Sequence, residues 1–228
     1  MKKVKVSGMI VSNNDCSIYR DWFGMDVCSP KDVESALNGE TGEIEVQINS
    51  NGGDLYAGSE IYTLLKEYTG KVVVKITGIA ASAASLVAMA GDEIKISPSA
   101  NMMIHNVSTH AYGDHQDFSK MAEVLKGGSD GIAGVYASVT GKTIEEIQEL
   151  MDEETYMNAT QALENGFVTE ILYQPMPMVA GVQTMLLSKE HLQHFRTYLK
   201  EREESAIEKF KAEQKNKEVG VQNKHFLF

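Results

Sequence analysis

A serine set among small residues, with a histidine downstream, is the pairing in this chain that carries nucleophilic chemistry. The serine is Ser82, in the run Gly78-Ile79-Ala80-Ala81-Ser82-Ala83-Ala84-Ser85, and the histidine is His105, which closes Met102-Met103-Ile104-His105. A serine hydroxyl is a weak nucleophile until a neighbouring base takes its proton, and neutral imidazole is suited to that near neutral pH. Lys71 to Thr77 reads as a β-branched strand, and the small residues after it make a tight turn into a helix. Ser82 therefore falls near a helix N-terminus, where backbone N–H groups are free to meet whatever the serine attacks.

The elements that must position this pair alternate with clear punctuation. Ser29-Pro30-Lys31-Asp32 is a capping-box start, and Asn38-Gly39 ends that helix. Ile44, Val46 and Ile48 alternate with polar residues until Ser50-Asn51-Gly52-Gly53, a strand running into a glycine loop. Ala57, Ile61, Leu64, Leu65 and Tyr68 then follow helical spacing. Ile94 and Ile96 mark a further strand, and Met102 to His105 another. A polar loop with His110 and His115 precedes a long helical pattern, roughly Phe118 to Val139, which Gly127-Gly128 is expected to interrupt. Thr143 to Glu146 and Asn158 to Gln161 cap two short helices, and Phe167 to Leu172 reads as a last strand. Successive β-β-α and β-α units predict an α/β domain over residues 1–174, with helices outside a sheet. Residues 175–228 read as a linker, a charged helix and the apolar end Phe226-Leu227-Phe228, an appendage expected to contact a neighbouring subunit or partner.

Composition narrows the function classes. A formal net charge of −11 argues against a nucleic-acid partner, which requires clustered Lys and Arg. No apolar run approaches the roughly 18 residues of a membrane span. Met1-Lys2-Lys3-Val4-Lys5-Val6 reads as a strand rather than a secretory leader, so a cytoplasmic location is expected. Cys16 and Cys28 lack metal-ligand spacing, and His191 and His194 share a helix face without a third ligand, so no metal is expected. Gly141-Lys142-Thr143 imitates the end of a phosphate-binding loop, but Tyr136 stands where that motif needs its first glycine.

Taken in order, Ile48-Asn49-Ser50-Asn51-Gly52-Gly53, the turn at 78–82, Met103-Ile104-His105, and Glu154-Thr155-Tyr156-Met157-Asn158-Ala159 leading to Glu164-Asn165-Gly166-Phe167 resemble the ClpP family of self-compartmentalising serine peptidases over residues 4–172. The composite is similar to the phage and prophage branch, associated with capsid maturation. The resemblance implies a ClpP/crotonase-like fold, Ser82 as nucleophile, His105 as general base, and the backbone N–H groups of Gly53 and Ala83 as the oxyanion hole. It implies no organic cofactor. It also implies homo-oligomeric rings, commonly heptamers stacked face to face, acting on peptide or protein substrates. A separate unfoldase ATPase would prepare a folded substrate, or phage capsid and scaffold proteins would arrive exposed. Two positions depart from the family. Asn51 replaces the usual proline, and Glu154 stands where the family has aspartate, so Asp152 and Glu153 remain open as the third member.

Two other classes compete with this reading. A crotonase-type enzyme would use the same oxyanion donors on a coenzyme A thioester but leaves Ser82 and His105 without a role. A catalytically silent ring or assembly factor has the Glu154 departure as its support. A Ser-Lys peptidase finds no lysine that stands out as a buried base.

Overall fold

The computed structural model describes residues 1–173. The linker, charged helix and apolar end expected over 175–228 lie outside the described residues. Among those described, eight strands form one sheet: β1 (Lys2–Ile10), β2 (Val27–Cys28), β3 (Ile44–Gly53), β4 (Val72–Ala81), β5 (Glu93–Ile96), β6 (Asn101–Ile104), β7 (Thr155–Asn158) and β8 (Glu170–Ile171). Six helices accompany them: α1 (Pro30–Leu37), α2 (Leu55–Glu67), α3 (Ala83–Ala88), α4 (His115–Thr140), α5 (Ile144–Asp152) and α6 (Ala159–Glu164), with a π-helical turn over Ile18–Trp22. Spatial order is β2-β1-β3-β4-β5-β8, parallel throughout. β4 pairs with β5 along its first half and with β6 along its last residues, and β6 in turn pairs antiparallel with β7. The expected α/β architecture is the observed one.

Alternation along the strands sorts the two faces of the sheet. Val4, Val6, Val46, Ile48, Val74, Ile76, Ile94 and Ile96 point to one side, where Val33 of α1, Ile61 and Leu65 of α2, and Ala84, Val87 and Ala88 of α3 close over them. Each fully buried aliphatic side chain contributes roughly 1.5–3 kcal/mol, so this face fixes the register. The small residues of α3 let it lie close against the sheet. The opposite face is a ladder of charges across neighbouring strands: Lys3 and Lys75 flank Glu45, and Lys95 joins Glu93 to Glu170.

Glu45 is only 3% exposed, and its carboxylate accepts from Lys75 Nζ at 2.5 Å and from Gln47 Nε2 at 2.6 Å. The hydrogen bond from Lys75 outweighs the opposing effect of burial and holds the carboxyl below the ordinary glutamate range. A group whose folded value is depressed stabilises the fold above its unfolded value and loses that contribution as pH falls through the folded one. Thermal melts of the wild type are therefore expected to weaken through the acid range, and Glu45→Gln is expected to flatten that limb. Parallel acid limbs for the two proteins would remove Glu45 as its source.

Several elements differ from the sequence expectation: β3 runs on through Ser50-Asn51-Gly52-Gly53 instead of breaking into a loop, and α4 already begins at His115. β4 continues through Gly78-Ile79-Ala80-Ala81 up to Ser82 rather than turning at Gly78, because Asn49 Oδ1 accepts from the Ile79 N–H at 3.2 Å and fills a register shift between β3 and β4. A Cβ at Gly78 would meet that Oδ1 at 2.2 Å, so glycine accommodates the bulge. α4 runs unbroken through Gly127-Gly128, with a capping box at Asp114 and Asp117 and a left-handed end at Gly141. Two interior glycines cost about 1 kcal/mol each. A Cβ at Gly128 would approach Val107 Cγ2 to 3.3 Å, so the missing side chain lets α4 lie against the segment after His105. The last strand shortens to Glu170–Ile171.

Candidate active site

Ser82 stands where β4 gives way to α3, at φ 55° and ψ −126°. Such a backbone costs a non-glycine residue about 1–3 kcal/mol and persists only when its surroundings fix it. They do so on both sides. The Ser82 N–H donates to the Met103 carbonyl at 3.0 Å, and the Ser82 carbonyl accepts from the Ser85 N–H at 2.9 Å and from Ser85 Oγ at 2.6 Å. A sharp strand-to-helix turn of this kind presents the serine hydroxyl rather than folding it into the helix. The hydroxyl makes no capping bond to α3; it lies 2.8 Å from His105 Nε2.

The sheet brings that histidine into place. β6 runs parallel to the end of β4 with Ala80 opposite Met102 and Ala81 opposite Met103, so Ser82 and His105 both leave their strands at the same end of the sheet. Slipping β6 by one residue would turn His105 to the other face. Ser82 and His105 are both half-buried, at the wall of a cleft of about 650 Å³ that Gly53, Ala83, Tyr56, Val107, Leu125 and Tyr136 also line. That volume lies within the usual range for small-ligand sites.

The two glycines that end β3 are needed for different contacts. A Cβ at Gly52 (φ 89°) would fall 2.6 Å from the Ala81 carbonyl oxygen and 2.8 Å from Ser82 Cβ, whereas one at Gly53 (φ 148°) would fall 2.1 Å from the Ile10 carbonyl oxygen. Gly52 thus packs against the serine turn, and Gly53 packs against β1 while facing the cleft. Ser50 holds this end of β3, donating to the Gly8 carbonyl at 2.6 Å and accepting from the Gly52 N–H at 3.0 Å. Gly52→Ala is expected to displace Ser82, lowering kcat/KM for a peptide about a hundredfold and stability by about 1–3 kcal/mol. Peptide hydrolysis and a thermal melt check this, and wild-type values for both would show that the end of β3 yields without moving the serine.

The acidic cluster is arranged less directly. Extending the β6–β7 register, in which Ile104 faces Thr155, places Glu154 opposite His105. Glu154 has φ 50° and is exposed. Among the described residues the only side-chain hydrogen bond of His105 is to Ser82, so none joins it to Glu154. Asp152 accepts from Asn106 Nδ2 at 2.6 Å instead, and Glu153 ends α5. Among the described residues no cluster of His, Cys, Asp and Glu could hold a metal ion, and no helix is long and apolar enough to cross a membrane. Cys16 and Cys28 are free and buried. Burial, aided by the charge of Asp32, pushes the Cys28 thiol up to about 12, which removes it as a rival nucleophile.

Sequence reading gave no role to Ser50, Gly52 or Tyr136. A serine two residues before a glycine pair and a tyrosine tip within the apolar stripe of a helix were the available signals.

A serine on a strained strand-to-helix turn, hydrogen-bonded to a histidine at the end of the neighbouring parallel strand, is the arrangement that serine-type hydrolases use. The profile of the Clp protease family matches residues 35–175, well over half of the chain, and the chain belongs to that family. It is 32% identical over 131 residues to the ATP-dependent Clp protease proteolytic subunit 2 of Tropheryma whipplei, a match covering 57% of this chain and 73% of that one. It is 30% identical over 141 residues to the corresponding subunit 1 of Leifsonia xyli, covering 61% of this chain and 71% of that one. A mutant of ClpP1 from Listeria monocytogenes has the same fold, with a TM-score of 0.63 at 22% identity over 76% of this chain and 92% of that structure.

Proposed function

We propose that this peptidase cleaves internal peptide bonds with Ser82 as nucleophile and His105 as general base. The single observation that carries the assignment is the 2.8 Å contact between Ser82 Oγ and His105 Nε2 at the cleft wall. Ser82 Oγ bonds to the scissile carbonyl carbon as Nε2 takes its proton, and the proton then passes to the departing amine, leaving an acyl-enzyme. Water, deprotonated by the same nitrogen, releases the acid and restores the serine. The N–H groups of Gly53 and Ala83, both at the cleft, are assigned to the oxyanion. Met121, Val124, Leu125 and Ile132 give the cleft an apolar wall, which fits a peptide with an apolar side chain beside the cut bond. A thioester-enolate reaction would leave the serine–histidine bond without purpose.

Glu154 is assigned as the residue that orients the imidazolium, on its register position opposite His105. Glu154→Gln is expected to lower kcat about a hundredfold and Asp152→Asn less than about threefold. The reverse order moves the role to Asp152, and two mild effects assign a Ser–His dyad.

The reading extends to a homo-oligomeric ring, commonly a heptamer or stacked pair, that encloses the sites. Phe118 of α4, 51% exposed and outside the cleft, is apolar surface that such association would cover. The sequence carries no nucleotide-binding motif, so a folded substrate requires a separate ATPase. A phage scaffold or capsid protein would instead reach the site exposed, the role associated with the branch that the motif set resembles. Light scattering, together with mass-spectrometric mapping of cuts in an unfolded protein without nucleotide, tests the whole reading. A multimer making internal cuts supports it, and a monomer or an inert multimer contradicts it.

A further inference from the structure

One side chain of α4 reaches the serine turn by a hydrogen bond. Tyr136 is 2% exposed, its ring is packed edge-on against Phe167 at 5.6 Å, and its hydroxyl lies 2.8 Å from Ser85 Oγ. Ser85 is fully buried, and its Oγ lies 2.6 Å from the Ser82 carbonyl oxygen. The directions of these bonds follow from proton counting. A carbonyl only accepts and a serine hydroxyl carries one proton, so Ser85 donates to Ser82 and Tyr136 must donate to Ser85. Burial pushes the Tyr136 phenol well above the ordinary tyrosine range, which keeps that proton in place.

A helical serine bonding back to a carbonyl three residues earlier is common and by itself means little. What distinguishes this one is the second partner, a phenol brought from 51 residues away and buried with the serine. Apolar residues would fill both places without the desolvation cost of two hydroxyls.

We propose that Ser85 and Tyr136 are positioning residues for Ser82, holding its peptide in the strained conformation and tying that conformation to α4. The same helix supplies Met121, Val124, Leu125, Gly128 and Ile132 to the cleft, so a bound peptide presses on the element that sets the nucleophile. This inference rests on the assignment of Ser82 as nucleophile.

Three variants test it: Ser85→Ala, Tyr136→Phe and the double. The readouts are the rate of Ser82 phosphonylation by a fluorophosphonate, kcat and KM for a peptide, and Tm. Ser85→Ala strands the Tyr136 hydroxyl and should be both less stable and slower. The double variant removes both partners, so its Tm should return toward wild type. Its phosphonylation rate and kcat should nevertheless stay about tenfold low, with KM within about twofold. Tyr136→Phe strands no buried donor and should slow Ser82 about threefold, with Tm lowered less than in Ser85→Ala. Wild-type rates in the double variant or in Tyr136→Phe would overturn the inference while leaving Ser82 as nucleophile. Failure of the wild type to label at Ser82 would overturn both.

Discussion

Ser82→Ala is expected to lower kcat for peptide hydrolysis by roughly four to six orders of magnitude while leaving the fold intact. The two halves of this expectation have separate grounds. Chemically, the hydroxyl is the group that lies 2.8 Å from His105 Nε2, and among the described residues no other serine hydroxyl is bonded to that ring. Structurally, alanine carries the same Cβ at φ 55°, so the strained turn gains no new clash, and no capping bond to α3 is lost because Ser82 makes none. The backbone bonds to Met103 and from Ser85 do not involve the hydroxyl. A fluorogenic peptide assay beside a thermal melt checks both halves. A variant that still hydrolyses near the wild-type rate would end the serine mechanism, and one that unfolds would show that the hydroxyl serves the fold.

His105→Ala is expected to cost about as much as Ser82→Ala, and the double variant no more than either alone, to within roughly tenfold. Residues that act as one unit lose their function together, since a serine without its base and a base without its serine are equally idle. Rates measured for the two single variants and the double decide the matter. Additive losses would mean that Ser82 and His105 act in separate steps, contrary to a shared proton transfer.

Much of this site was legible because its parts lie at the ends of strands with strong patterns. The alternation of Ile44, Val46 and Ile48 and the β-branched run after Lys71 announce neighbouring strands, and parallel pairing then carries Gly53, Ser82 and His105 to one end of the sheet. The helix starts at Ser29, Thr143 and Asn158 were equally plain, each with the reciprocal capping bonds that its spacing predicts. What sequence misjudged was local behaviour decided by long-range contact. Gly78 reads as a turn until Asn49 fills the bulge beside it, and Gly127-Gly128 reads as a break until Gly128 is seen against Val107. The distinct contacts of Gly52 and Gly53 depend on what each Cβ would meet, which no spacing reveals. The placement of Glu154 depends on a left-handed residue between α5 and β7, again invisible in the acidic run itself.

Whether Ser82 is an activated nucleophile is read out by intact-mass spectrometry after treatment with a fluorophosphonate. The wild type should gain the mass of one phosphonyl group, mapped by fragmentation to Ser82, while Ser82→Ala should gain none and His105→Ala should react far more slowly. An unmodified wild type, or a label on any residue other than Ser82, would contradict a nucleophilic Ser82.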